Sequence, residues 1–324
     1  MGWISPKIAS WLMASNMQRL GIRQTRGAAA FYNQFRCKEQ DERRRKLYRE
    51  NFDELIAENG APVGQPSVMK NGWALDTSRT LPAIDELIAE SEQIVAERGL
   101  KATKRPDSYR AFFQNIAKPE DTEKYPSILN FALSSSALTT VCRYMESIPV
   151  LSGTLPPGIR LAESSASFDA KPAPYRDSQL FHLDYYSDPM VYIIVLLRDV
   201  TAKSGPFRWL PAAESQGAVP KLKYWEKGTP YRLQDDTIYS VVDPKSVHEL
   251  AYPKGTVLFI DPSRCFHYGS RDAVIPRYQM MYGFSPVCRT DFSERTMEPL
   301  RYHVGSGDSR LRKLVLRADA ATAI

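Results

Sequence analysis

The sequence predicts a mainly β fold with α-helices, in which the helices come first and a strand-rich region follows. Helical hydrophobic periods dominate up to about residue 150, and short apolar runs broken by proline and glycine follow to about residue 290. Many short strands at such spacing favour a β-sandwich or barrel over a parallel sheet with crossover helices. No glycine-rich phosphate loop follows a strand-like run, so a nucleotide-binding fold has no support.

Three helices and one strand are predicted before residue 150. The charged run 28–58 contains regularly spaced aromatic and aliphatic residues, and segment 71–76 has the pattern of a short strand. Segment 82–98 is amphipathic with a period of about 3.6 residues, and its proline suits the first turn of a helix. Segment 125–145 is mostly apolar, which predicts a buried helix.

The second half of the chain is predicted to form strands separated by short turns. Turn signals such as Ser204-Gly205-Pro206 and Asp261-Pro262 stand between the apolar runs. The predicted strands are 159–162, 179–183, 191–197, 207–210, 237–242, 256–260 and 277–284.

The formal charge of +6 is concentrated at the N-terminus, because residues 1–38 contain six basic residues and no acidic one. The rest of the chain carries equal numbers of basic and acidic residues, and no base-reading motif accompanies the charge, so no nucleic-acid partner is predicted. Residues 1–26 could instead contact a membrane surface, form a solvated arm or pack on their own protein. Without a signal peptide or a membrane-spanning run, we expect a cytoplasmic protein that is free or peripheral to a membrane.

One pair of residues in the strand-rich region has the spacing of metal ligands. His182 and Asp184 are two positions apart on a predicted strand, so their side chains point to the same side while Leu183 points away. Two imidazoles and one carboxylate on one face of an ion form a facial triad, which leaves open positions for a bidentate cosubstrate and dioxygen. A His-x-Asp pair alone is a weak signal.

The third ligand is predicted to be His267. The strong strand pattern 255–261 leads through a proline turn to His267, and Arg277 follows ten residues later. A guanidinium at that position can hold the distal carboxylate of a keto diacid in a bidentate fork. His248 is the rival ligand, but it precedes the strong strand and no arginine follows at the corresponding distance; His303 is a weaker rival.

Taken together, these motifs resemble those of the Fe(II)/2-oxoglutarate-dependent oxygenases, specifically the phytanoyl-CoA dioxygenase-like family. The resemblance covers about residues 150–290 and includes His182-Leu183-Asp184, the Gly205-Pro206-Phe207 turn and His267 with Arg277. It implies a double-stranded β-helix (jelly-roll or cupin-like) core packed against N-terminal helices. It also implies Fe(II), 2-oxoglutarate and O2, with His182, Asp184 and His267 as metal and catalytic residues and Arg277 binding 2-oxoglutarate.

The resemblance also suggests a domain division: residues 1–60 form a basic helical extension and residues 61–324 a single catalytic domain. Within that domain, helical support spans 61–150, the double-stranded β-helix spans about 150–290 and a C-terminal extension spans 291–324. The segment after Pro211 departs from the Pro-Gly-Ser-His stretch that is common in the family, so substrate contacts in that loop cannot be inferred from it.

Other residues have weaker predicted roles. Tyr192 is an even number of positions from His182 and Asp184, so strand alternation favours the same side, and Ser270 follows His267 closely. Each is therefore a candidate for binding the cosubstrate or for simple packing. Arg160 or Arg208 could bind an anionic group of the substrate or form a surface ion pair. Near the predicted mouth of the site lie also Tyr185, Tyr186 and Trp209.

The function implied is hydroxylation of a small-molecule or lipid-linked substrate, with Asp184 standing where the related halogenases have a small residue. Two other functions stay open. A cupin-like metal enzyme without 2-oxoglutarate would have no use for Arg277, and a non-catalytic jelly-roll binding protein would not need an intact set of ligands.

Overall fold

The structure is a computed structural model that describes residues 21–99, 112–152, 158–165, 174–291 and 302–316. The predictions made for residues 1–20 and for most of the segment 291–324 therefore lie outside the described residues. Within the described part of the chain, no helix is both long and apolar enough to cross a membrane.

The N-terminal helix α1 (Ile22–Glu58) is longer than the predicted 28–58 and contacts the C-terminal helix α8 (Arg310–Val315). Its Arg44 is buried and donates hydrogen bonds to the backbone oxygens of Ile148, Pro149 and Leu314. These bonds fix α1 to the body of the protein. The division into an N-terminal extension and one catalytic domain stays a prediction.

A group of shorter helices supports one side of the fold. Helix α2 (Ile84–Arg98) buries the apolar stripe that its period predicted, although it begins two residues after Pro82. The predicted single helix 125–145 is divided, because Ser134 is extended and caps the next helix by accepting a hydrogen bond from the Ala137 amide. The segment forms α4 (Ser127–Ala132) and α5 (Ser135–Met145), preceded by α3 (Asp121–Lys124).

The larger of two antiparallel sheets has seven strands in the order β1-β8-β5-β10-β4-β2, with β3 also pairing with β10. Strand β10 is central and pairs with β3, β4 and β5. The strands are β1 (Trp73–Asp76), β2 (Phe113–Asn115), β3 (Val150–Leu151), β4 (Arg160–Ser164), β5 (Val191–Leu196), β8 (Val257–Ile260) and β10 (Arg277–Ser285).

The smaller sheet has the order β7-β6-β9 and consists of β6 (Arg208–Trp209), β7 (His248–Glu249) and β9 (His267–Tyr268). Helix α6 (Ala212–Lys221) follows β6, and helix α7 (Asp235–Tyr239) precedes β7. Isolated bridges between Phe181 and Leu233 and between His182 and His267 continue the pairing beyond β9.

Alternate residues of the larger sheet face two different cores. Val191, Ile193 and Val195 of β5 pack toward the helices, whereas Ile194 and Leu196 face Phe207, Trp209 and Leu250 from the smaller sheet and its flanks. The described chain is therefore a mixed α and antiparallel β fold with helices, larger sheet and smaller sheet in layers. The candidate site lies between the two sheets.

Two strand predictions differ from the structure. The run 237–242 is not a strand, because Asp235–Tyr239 forms helix α7, where Asp235 and Asp236 occupy the first turn and only Ile238 is buried. Short apolar runs carry too little periodicity to separate the two structures. Segment 179–183 is only partly extended, since a 3-10 turn over Asp177–Gln179 leads into the isolated bridges at Phe181 and His182.

Candidate metal centre

The two central histidines face each other across an antiparallel pair. The His182 amide donates to the His267 oxygen at 3.1 Å, and the His267 amide donates to the His182 oxygen at 3.0 Å. Their ring centroids are 4.2 Å apart. Backbone pairing thus brings together two imidazoles that are 85 positions apart in the sequence.

The Asp184 carboxylate lies close to both imidazole rings, because Asp184 is two positions after His182. Its amide donates to the Pro262 oxygen at 2.8 Å, and its Oδ1 lies 3.8 Å from His182 Nε2. One ligand atom from each of His182, Asp184 and His267 lies within 4.8 Å of the other two. The structure therefore brings together the three residues that the sequence predicts as metal ligands.

Hydrogen bonds to backbone carbonyls set the tautomer of both histidines. His182 Nδ1 lies 2.8 Å from the Leu180 oxygen, and His267 Nδ1 lies 3.0 Å from the Cys265 oxygen. A carbonyl oxygen only accepts, so each Nδ1 carries the proton and each Nε2 has a lone pair of the kind that binds a metal. This second-sphere arrangement is typical of metal-binding histidines.

The surroundings favour a neutral imidazole at His267. His182, Asp184 and His267 are all buried. Burial lowers the pKa of His267 below its ordinary value, although the Asp184 carboxylate opposes this shift. The Tyr192 hydroxyl donates to Asp184 Oδ2 at 2.6 Å and so positions a carboxylate of the site, while its contact with a cosubstrate stays a prediction.

Arg277, at the start of β10, lines the same cavity as His182, Asp184 and His267, and it is only 3% exposed. Its Nη2 donates to Ser270 Oγ at 3.0 Å, while its Nε and Nη1 have no hydrogen-bond partner in the part of the chain that the structure describes. Burial lowers the pKa of Arg277 to about 10, and no carboxylate of the described residues offsets the shift. A buried guanidinium without an anion is costly, so this position is suited to an anionic ligand.

The three predicted metal ligands and Arg277 line one cavity. The apolar part of its wall includes Phe113, Phe207 and Met281. Its polar and aromatic lining includes Arg160, Ser178, Tyr186, Tyr192, Arg232, Tyr268, Ser270, Gln279 and Tyr282.

Several predicted candidates lie outside this cavity. His248 is exposed on β7 and stacks on Trp209, and His303 is also exposed. Arg208 pairs with Glu249 and donates to the Tyr268 hydroxyl, which leaves it as part of an ion pair. Of the two predicted arginines for an anionic substrate, only Arg160 lines the cavity.

Sequence reasoning missed several polar residues of the wall, among them Gln279 and Arg232. Gln279 is two positions after Arg277 on β10, so strand alternation could have placed it on the same face. Arg232 lies in a loop, and its Nη2 is 2.8 Å from Asp177 Oδ1. No local pattern marks Arg232, because its position depends on the bridge between Leu233 and Phe181.

No family model matches the chain, and no curated protein matches its sequence. Among solved structures, the epimerase SnoN in complex with Fe3+, alpha-ketoglutarate and nogalamycin RO is similar at a TM-score of 0.45 and 12% identity, covering 78% of this chain and 90% of that chain. EvdO2 from Micromonospora carbonacea var. aurantiaca has a TM-score of 0.45 and 17% identity, with 75% and 99% covered.

EctD from S. alaskensis with 2-oxoglutarate and 5-hydroxyectoine has a TM-score of 0.44 and 11% identity, covering 69% of this chain and 84% of that chain. At such TM-scores and identities, we base no functional conclusion on these likenesses. The proposed function rests on the geometry of the site itself.

Proposed function

We propose that this protein is a mononuclear non-haem iron(II) enzyme that uses 2-oxoglutarate and dioxygen to hydroxylate a small molecule. The observation that carries the proposal is one buried cavity with two imidazoles and a carboxylate at one place and an anion-free guanidinium at another. The first group suits a metal ion with open coordination positions, and the second suits the far end of a dicarboxylate.

The residues fit an iron(II) ion in number, type and protonation. His182 and His267 would each provide Nε2, because their Nδ1 atoms face backbone oxygens, and Asp184 would provide a carboxylate oxygen. The bound ion would supply the activation of dioxygen. The protein holds its ligands rigidly: Tyr192 fixes Asp184, and the paired backbones fix both imidazoles.

Arg277 and Ser270 would bind the distal carboxylate of 2-oxoglutarate. Nε and Nη1 of the guanidinium have no hydrogen-bond partner among the described residues and are available to donate to an anion, while Nη2 already donates to Ser270. This arrangement distinguishes the proposal from a cupin-like metal enzyme without a keto-acid cosubstrate, in which a buried cation here would be unpaired.

The overall reaction would insert one oxygen atom of O2 into a substrate C–H bond and the other into the succinate formed with CO2 from 2-oxoglutarate. Asp184 favours hydroxylation, because a carboxylate occupies the place that a halide needs in related halogenases. We also infer that the two sheets form a double-stranded β-helix, since the facing sheets and the His182–His267 bridge suit that architecture.

The test is an anaerobic titration of the purified protein with iron(II) and 2-oxoglutarate. We expect a weak visible charge-transfer band that His267→Ala abolishes and His248→Ala leaves intact, because His248 is exposed and outside the cavity. Arg277→Gln should raise the 2-oxoglutarate concentration that is needed without removing iron. Iron binding with no band in the wild-type protein would contradict the proposed cosubstrate.

A further inference from the structure

Arg160 is the one cation of the cavity lining that has no hydrogen bond or ion pair to another described residue. Arg232 is paired with Asp177, and Arg277 is held by Ser270. Arg160 is partly buried, so its charge is only partly screened by solvent. It is therefore a cation directed into a ligand cavity with its binding capacity unused.

The register of the larger sheet places Arg160 in a different row from Arg277, between that row and the row of Tyr192. Arg160 lies opposite Met281, whereas Arg277 lies opposite Ser164, four residues away along each strand. At about 3.4 Å per residue, the two arginines begin about 13 Å apart on the same face of the sheet. The two guanidinium groups therefore start from separate rows of the sheet, so each can bind the carboxylate of a different molecule.

The same register places Arg160 near the metal ligands. Met281 lies opposite Ile194 of β5, and Tyr192, which bonds Asp184, is two residues from Ile194. Measured along the strands, Arg160 is thus two residues, or about 7 Å, from the row of paired residues that contains Tyr192. A molecule held by Arg160 would extend over the metal site.

A charge count indicates what that molecule is. In the proposed complex, iron(II) brings two positive charges and 2-oxoglutarate two negative ones, while Asp184 and Arg277 cancel each other. Arg232 is neutralised by Asp177. Among the described residues, Arg160 is left as one uncompensated positive charge in a cavity whose apolar wall includes Phe113 and Met281.

We propose that the primary substrate is a monocarboxylic acid with an apolar body, and that Arg160 binds its carboxylate. This inference rests on the proposed function. A guanidinium fork matches a carboxylate in shape, and a monoanion balances the single free charge, whereas a phosphate monoester would exceed it. The apolar wall would hold the body of the acid with a C–H bond toward the metal.

The experiment uses the full chain loaded anaerobically with iron(II) and saturating 2-oxoglutarate. The probes are straight-chain, branched and aromatic monocarboxylates, each compared with its primary amide and methyl ester. We expect carboxylates to shift the charge-transfer band and to give binding heat, with the matched amides and esters binding at least about tenfold more weakly. Displacement of 2-oxoglutarate would instead bleach the band, so the two modes of binding are distinguishable.

Arg160→Gln should weaken carboxylate binding roughly 10- to 100-fold, the range for one charge-assisted contact, and leave the 2-oxoglutarate affinity unchanged. Arg208→Gln is the matched control, because Arg208 is paired with Glu249 and lies outside the cavity lining. Thermal unfolding of each variant, measured in parallel, checks that the fold is intact.

Three results would overturn the inference: amides or esters that bind as well as acids, carboxylate binding that Arg160→Gln leaves unchanged, and loss of 2-oxoglutarate affinity in Arg160→Gln. Each of these is read in a protein that forms the charge-transfer band. Absence of the band in the wild-type protein would instead refute the proposed function, so the two failures are distinct.

Discussion

Tyr192 is the residue that most directly orients Asp184, through its hydroxyl bond to Oδ2. Tyr192→Phe should lower iron(II) affinity about tenfold, because loss of such an outer-sphere bond leaves the ligand less well positioned. Tyr278→Phe is a matched control, since it also removes a buried tyrosine–carboxylate hydrogen bond, to Glu163. Titration with iron(II) would measure both, and equal affinity in the two variants would contradict the role of Tyr192.

Ser270 combines a functional hydroxyl with a strained backbone. Its φ is +64°, in the left-handed region that favours glycine, and its hydroxyl accepts from Arg277. We expect Ser270→Ala and Ser270→Gly each to weaken 2-oxoglutarate binding about tenfold. Ser270→Gly should be more stable than Ser270→Ala by about 1 kcal/mol, because only glycine relieves the strain.

Urea unfolding and 2-oxoglutarate titration of the two Ser270 variants separate these effects. If Ser270→Gly kept wild-type affinity, the backbone conformation and not the hydroxyl would be what supports Arg277.

The turn between β8 and β9 is held by a buried carboxylate. Asp261 accepts hydrogen bonds from the Ser263 amide and hydroxyl and from the Tyr144 hydroxyl. Burial raises the pKa of Asp261 to about 6, although these hydrogen bonds oppose the shift. This turn leads directly to His267, so its order contributes to the position of that ligand.

The raised pKa predicts a specific pH dependence. The folded protein binds this proton more tightly than the unfolded chain, so the resulting stability is present below about pH 4 and is lost as pH rises through about 6. Asp261→Asn cannot titrate. The unfolding free energy of this variant relative to wild type should therefore rise by on the order of 2 kcal/mol between about pH 4 and pH 7.

Urea unfolding of metal-free protein across that pH range measures the difference. Parallel pH profiles for the two proteins would show that the Asp261 carboxyl titrates normally.

Elements with a clear hydrophobic pattern and turn signals were predictable from the sequence, whereas some ambiguous runs were not. Strand β10 was predicted at 277–284 and observed at Arg277–Ser285, because its apolar run is long and follows a clear turn. Helix α7 was predicted as a strand, since a five-residue helix offers little more than one period. Acidic residues in its first turn were the signal for a helix.

Some residues of the candidate site were likewise predictable from the sequence, and others were not. His182 and Asp184 follow from strand alternation, and His267 with Arg277 from the strand and turn before them. The sequence alone could not show that the Tyr192 hydroxyl donates to Asp184 or that Arg232 lines the cavity. Both depend on contacts between segments that are distant in sequence or lack a pattern of their own.

At the scale of the whole molecule, α1 joins parts of the chain that are far apart in sequence. Arg44 donates to backbone oxygens before β3 and in α8, and Asn33 donates to the oxygens of Arg289 and Asp291. Helix α1 therefore connects the segments that flank the larger sheet. Its removal would expose several buried backbone acceptors at once.

Arg44→Met should lower the free energy of unfolding by roughly 2–4 kcal/mol, because it leaves three buried carbonyl oxygens without their donor. Arg45→Met is the control in the next position of the same helix, where an ion pair to Asp41 is 41% exposed on the arginine side. Such a pair contributes at most about 0.5 kcal/mol. Equal losses in urea unfolding would show that Arg44 does not anchor the helix.

The reciprocal backbone bonds between His182 and His267 have a consequence for how the protein would acquire the proposed metal ion. The two ligand segments are already aligned by the polypeptide, so loading does not require the chain to fold around the metal, as it does in a zinc finger. Apoprotein and holoprotein would share one architecture. A chelator would then empty the centre reversibly, and occupancy would follow the supply of free ion without exposing the core to proteolysis.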